Sequence, residues 1–261
     1  MRRLLLVLPV LAAVVVGVGV LGWGRAGAAV GEDPYGVVVD LAALDDPAVI
    51  AAGRELFRTG CGSCHGGEGQ GLVGPDIRRA GAAGAHFWLT TGRMPMANDE
   101  GQAVRKEPAY GPEEIEALVA YVASLGPGPA IPTVDPAGGV IQHGGELFRL
   151  NCAACHQAAG AGGALSYGRN APTLLPATAV QVAEAIRTGP GQMPVFAPEQ
   201  LSDEDVQSIV TYVRYLQRAD NPGGFSLGRI GPIPEGFVAI GLGLGGAGLA
   251  AFLIGKRTPS A

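Results

Sequence analysis

Cys61, Cys64 and His65 stand in the pattern Cys-x-x-Cys-His, and Cys152, Cys155 and His156 repeat it 91 residues further on. This is the attachment signature of c-type haem: two thiols become thioethers to a porphyrin, and the adjacent imidazole is placed under the iron. Other uses of paired cysteines fit less well. A disulfide leaves the following His in both copies unexplained. A zinc site wants two more thiol or imidazole ligands per pair, and the remaining histidines, His86 and His143, do not fall at matching positions. A thioredoxin-like redox pair sits in a βαβ pattern that the sequence does not show. The expectation is two covalently bound haem c groups, tethered by Cys61 and Cys64 and by Cys152 and Cys155.

The sixth iron ligand is sought among four methionines, one of them the initiator. Met94 lies in Thr91-Gly92-Arg93-Met94-Pro95 and Met193 in Thr188-Gly189-Pro190-Gly191-Gln192-Met193-Pro194, 29 and 37 residues after their histidines. Methionine usually fills gaps in cores, but here it is nearly absent except at these matched places. Met96 competes with Met94. Met94 is preferred because the second copy has Val195, not Met, after Met193-Pro194. Ligation by His65 with Met94, and by His156 with Met193, raises haem potential and leaves no open coordination position. That favours electron transfer over oxygen or peroxide chemistry. No residue pattern for acid–base or nucleophilic catalysis is evident.

Supporting positions match between the copies. Gly74-Pro75-Asp76-Ile77 corresponds to Ala171-Pro172-Thr173-Leu174, and a backbone carbonyl there could hold the ligand His by its other ring nitrogen. Phe57 and Phe148 lie one helical turn before their first Cys, and Tyr121 and Tyr212 lie on later helices. All four read as packing residues. His86 and His143 read as ordinary surface or loop residues.

These residues need elements to carry them. Gly53 to His65 matches Gly144 to His156, and Ala120-Tyr121-Val122 matches Thr211-Tyr212-Val213, all at the same offset of 91. A long period repeated twice is a duplicated domain. Each copy has an amphipathic helix before its Cys pair. Each has another after an acidic turn, at Pro112-Glu113-Glu114 and Ser202-Asp203-Glu204. Ile115, Leu118, Val119 and Val122 follow helical spacing, as do Val206, Ile209, Val210 and Val213. Between the helices the chain is rich in Gly, Pro and Ala, without a strand pattern. The expected class is all-α and loop-rich, with domains at 45–126 and 140–220 and a Pro/Gly-rich linker at 127–139. About 80 residues so rich in Gly cannot bury a large apolar core, so the cofactors must fill the centres.

The 261 residues include 43 Gly and 20 Pro, with only 6% aromatics. Mean hydropathy is +0.27, high for a soluble protein. Hydrophobic residues at 48% exclude intrinsic disorder, and a pI near 5.4 argues against nucleic acid as a partner. The apolar excess sits at the ends. Leu4 to Gly24 carries no charge after Arg2 and Arg3. It reads as a retained N-terminal anchor or, with Ala26-Gly27-Ala28 as a cleavage site, a signal peptide over residues 1–28. Phe237 to Gly255 is a second uncharged stretch, followed by Lys256 and Arg257, and reads as a transmembrane helix. Basic residues at both tips put both tips in the cytoplasm and the haem domains outside. Residues 26–255 carry 23 acidic and 13 basic side chains, a net of −10, which could steer a basic partner.

Each repeat resembles a class I cytochrome c domain: Cys-x-x-Cys-His after the first helix, a Pro-containing loop, a Met loop and a closing helix with an aromatic. Two such domains, a pre-anchor segment at 221–236 and a C-terminal anchor resemble the dihaem cytochrome c subunit of the actinobacterial cytochrome bc complex, a quinol–cytochrome c reductase. The resemblance covers about residues 45 to 257. It implies an electron carrier that is a subunit of an oxidoreductase and translocase in the cell membrane. A Rieske iron–sulfur subunit and a cytochrome b subunit would deliver electrons, and a haem–copper oxidase would receive them, with a supercomplex implied. The alternative is a membrane-anchored dihaem carrier serving another extracytoplasmic dehydrogenase. A dihaem peroxidase is disfavoured by matched Met ligands in both copies.

Overall fold

Three of the four predicted helices begin at a cap that the local sequence supplies. The computed structural model describes residues 39–97, 101–218 and 232–256. Helix α1 (Pro47–Gly60) starts where the Asp46 side chain accepts a hydrogen bond from the Ala48 amide at 2.7 Å, with Pro in the first turn. A one-turn helix α2 (Gly62–His65) follows, then α3 (Gly81–Thr90). At the start of α4 (Pro112–Ser124) the Gly111 amide donates to Glu114 Oε2 at 2.9 Å. The second repeat runs α5 (Ile141–Asn151), α6 (Ala153–His156), α7 (Ala179–Thr188) and α8 (Asp203–Gln217). Ser202 and Asp205 bond each other's backbone amides at the start of α8, a reciprocal cap.

The amphipathic expectation for α4 and α8 holds. Ile115, Leu118, Val119 and Val122 are buried, and so are Val206, Ile209, Val210 and Val213. In each repeat the first helix packs across the last, α1 on α4 and α5 on α8. The crossings are made at glycine. A Cβ on Gly53 would lie 1.8 Å from the Ala117 carbonyl oxygen, and one on Gly144 would lie 1.9 Å from that of Ser208. These positions correspond at the offset of 91. Phe57 meets Tyr121 with ring centroids 5.1 Å apart, and Phe148 meets Tyr212 at 5.4 Å, so the matched aromatics lock the same crossing. Gly144→Ala is expected to cost about 2–3 kcal/mol by forcing α5 off α8. A thermal midpoint within a degree of the parent would contradict the close crossing.

The sequence reading did not anticipate α3 and α7. Helix α3 is buried on nearly every side, from Gly81 to Thr90, so it carries no polar face and no amphipathic period. It packs on α4 on one side and on α7 of the other repeat on another. The insertion that lengthens the second repeat forms a two-residue antiparallel ladder, β1 (Gly163–Ala164) with β2 (Asn170–Ala171), too short for a strand pattern. The Pro/Gly-rich connection is seated on both repeats. The Ala83 amide donates to the Pro129 carbonyl, Ile131 packs on the first core and Val134 on the second.

Both repeats belong to one compact unit that ends at Gln217. The contact between them is built from equivalent positions on equivalent helices. His86 of α3 and Glu184 of α7 stand 98 residues apart, as do Thr90 and Thr188, and as the two helix starts do. His86 Nδ1 lies 2.6 Å from Glu184 Oε1, with one proton between them. His86 is therefore a buried interface residue, not the surface or loop residue expected, because its partner is distant in sequence. His143 is exposed, 2.7 Å from Asp205.

Burial is the main cause that lifts the Glu184 carboxyl from 4.5 to about 7, against the opposing hydrogen bond with His86. A carboxyl raised on folding contributes stability that is complete below the unfolded value and is lost as pH rises through the folded one. Thermal stability of the chain in detergent is thus expected to fall between about pH 4.5 and pH 7, by on the order of 3 kcal/mol. Glu184→Gln should flatten that part of the pH profile. An unchanged slope would show that Glu184 is ionised throughout.

Helix α9 (Pro232–Gly255) belongs to a separate unit. Its segment Gly236–Gly255 has mean hydropathy 2.2 and spans about 30 Å, long and apolar enough to cross a membrane. It begins one residue before the expected span. Residues 1–28 lie outside the described residues.

Candidate functional site

The same turn of backbone presents both motifs. In the first repeat the Cys64 and His65 amides bond back to the Cys61 carbonyl, at 3.1 and 2.9 Å. In the second, those of Cys155 and His156 bond to the Cys152 carbonyl at the same distances. The chain then leaves through a positive φ at equivalent residues, Gly66 and Gln157. One short helix thus sets two thiols and an imidazole on one local surface.

The imidazoles are held as the sequence suggested. His65 Nδ1 donates to the Pro75 carbonyl at 2.8 Å, and His156 Nδ1 donates to the Pro172 carbonyl at 2.9 Å. An accepting carbonyl places the proton on Nδ1 and leaves Nε2 as the free electron pair, the form in which imidazole binds a metal. Burial also lowers the pKa of His156, overriding the bond to Pro172. Gly74 keeps this contact close, since a Cβ there would lie 3.0 Å from His65 Cε1.

None of the four cysteines is in a disulfide. Burial, with the neighbouring Cys64 or Cys155 second, pushes Cys61 and Cys152 up to about 11. They stay protonated at neutral pH, the opposite of the low-pKa cysteine in a thiol–disulfide redox pair. Protonated thiols suit thioether tethers, which form by adding S–H across a vinyl double bond with no leaving group.

A cavity of about 440 Å³ brings together every second-repeat residue expected to hold the cofactor: Cys152, Cys155, His156 and Met193. Its walls include Phe148, Val182, Ile186, Ile209 and Val213, which also make up the second core. Its size lies in the range of roughly 300–1,000 Å³ usual for cofactor sites. The donor set, the apolar walls and the space all fit a haem. In the first repeat Cys61 and Met94 pack against one apolar core, and the His65 imidazole is fixed by Pro75. Met94 and Met96 both edge the cavity of the second repeat. Sequence reasoning missed that Phe87, Trp88, Arg93 and Arg105 of the first repeat line it too. The legible hint was Arg93 itself, a charged residue inside the Met motif.

Comparison with known proteins agrees with this geometry. Residues 50–126 match the family model for cytochrome c, and residues 139–213 match that for cytochrome C oxidase, cbb3-type, subunit III. The cytochrome bc1 complex cytochrome c subunit of Mycobacterium leprae is 42% identical over 230 residues, 84% of this chain and 79% of the relative. The chain belongs to this family of cytochrome c subunits. The Mycobacterium tuberculosis subunit is 42% identical over 221 residues, 81% of this chain and 79% of that one. The Corynebacterium efficiens subunit is 37% identical over 262 residues, 92% and 87% of the two chains. As a member of the family the chain is an electron-transfer subunit that binds haem c, with a candidate membrane helix at its C-terminal end.

Proposed function

We propose that this cytochrome c subunit carries two haem c groups and passes electrons from the Rieske and cytochrome b subunits of a quinol–cytochrome c reductase to a terminal haem–copper oxidase. The observation that carries the reading is the second-repeat cavity, where two thiols, a carbonyl-held imidazole and a methionine line one apolar space. The proposed tethers are Cys61, Cys64, Cys152 and Cys155. The proposed axial pairs are His65 with Met94 and His156 with Met193. A bound haem supplies one-electron chemistry at its iron. The chain's part is to hold the imidazole on Nδ1, exclude water with Phe148, Ile209 and Val213, and keep both haems in one rigid unit. The helical interface of α3 and α7 supports that last role, because it joins the repeats through buried side chains. The haem domains are proposed to face the extracytoplasmic side, with the basic C-terminal tip in the cytoplasm.

Purification through a tag on this chain in mild detergent tests the assignment. Cytochrome b and Rieske subunits should copurify, and quinol should reduce both haems in an inhibitor-sensitive way. A chain that emerges alone, or with a soluble dehydrogenase, contradicts it and favours a carrier for another enzyme.

A further inference from the structure

We propose that Arg93 and Arg105, both supplied by the first repeat, bind the carboxylates of the porphyrin carried by the second repeat. This rests on the haem reading above and assigns residues that the attachment motifs do not include.

The cavity that holds Cys152, Cys155, His156 and Met193 is also lined by Arg93, Arg105 and Arg169. No Asp or Glu among the described residues lines it, although residues 26–255 carry a net charge of −10. A cationic cavity wall within an acidic chain is shaped for an anion. Arg93 makes the case sharply. It is only 8% exposed, and its Nη1 is buried with no hydrogen-bond partner among the described residues. Its guanidinium stands over the Phe87 ring at 5.2 Å, which orients the plane but offers no lone pair. Buried guanidinium groups in proteins are normally satisfied, and a planar fork matches a carboxylate.

Arg105 completes the arrangement. Its Nη2 donates to Gln181 Oε1 on α7 at 2.6 Å, and Gln181 in turn donates to Thr90 Oγ1 on α3. The first repeat's arginine is thereby anchored on the second repeat's wall. Two guanidiniums lining one cavity are stabilised by a negative charge between them. Haem c carries two propionate carboxylates, which supply it. A cation beside a haem favours the reduced state, so the first repeat would raise the potential of the second haem.

Spectroelectrochemical titration of the intact complex tests this. The second haem is identified as the component that Met193→His displaces. Arg93→Gln and Arg105→Gln should each lower that component and leave the other in place. Each should also make its midpoint more pH-dependent, because a buried carboxylate that loses its cation has a raised pKa. Arg93→Lys should restore only part of the loss, since an ammonium keeps the charge but not the planar fork. Arg93 adjoins Met94, so Arg105→Gln is the cleaner variant. Unmoved midpoints in a chain with two haems overturn the proposal, as does a shift confined to the first haem. A chain with fewer than two haems instead overturns the haem reading beneath it.

Discussion

Replacing Cys152 and Cys155 together by serine is expected to leave one covalent haem per chain and a second repeat that no longer holds its fold. The reason is the size of what the cofactor is proposed to fill. The cavity of about 440 Å³ is walled by Phe148, Val182, Ile186, Ile209 and Val213, residues that are also the second core. At about 24 cal/mol per Å³, a space of that size costs at most about 10 kcal/mol, the limit for a cavity that water does not enter. The whole stability of a typical domain is roughly 5–15 kcal/mol. The remaining helix crossing at Gly144 and Ser208 is too small to compensate. Circular dichroism should show lost helix, and limited proteolysis should cut between about residues 140 and 217. Because α3 packs on α7, the first repeat should lose thermal stability as well. Two haems retained, or a parent-like melting curve, would contradict the cavity-filling role.

The second large effect is expected at the methionines. Met193→Leu should lower one midpoint potential by on the order of 0.1 V, a fraction of the roughly 0.8 V span that axial ligation controls. Met94→Leu should lower the other. Met193 lines the same cavity as His156 and packs on the second core, and Met94 packs on the first. Met96 edges the cavity beside Met94, which makes it the sharp control. A drop on substituting Met96, with none on substituting Met94, would overturn the proposed ligand pair.

Much of this site is legible in the sequence because its parts are local. Cys61, Cys64 and His65 fit in one helical turn, and so do Cys152, Cys155 and His156. Matched Pro segments foreshadow the Pro75 and Pro172 carbonyls, and the structure places them on the imidazoles of His65 and His156. Helices α1, α4, α5 and α8 are half-buried, so burial left a periodic record in them. Helix α3 is buried all round, so it left none. The interface was hidden for a different reason. His86 and Glu184 are equivalent positions in the two repeats but carry different residues, so alignment of the copies did not pair them. The two copies also drift from an offset of 91 to one of 98 before α7, since the β1–β2 insertion lengthens the second. Arg93 and Arg105 belong to one repeat by chain order and to the other by the cavity they line. No pattern within a single repeat contains that information.

The central claim is that this one chain holds two haems by covalent tethers. Intact mass spectrometry of the denatured, purified chain tests it most directly, because denaturation removes any group held only by coordination. A mass increment of two haems on a single polypeptide is the result predicted. An increment of one haem or none, or haem released by acidified acetone, would contradict it.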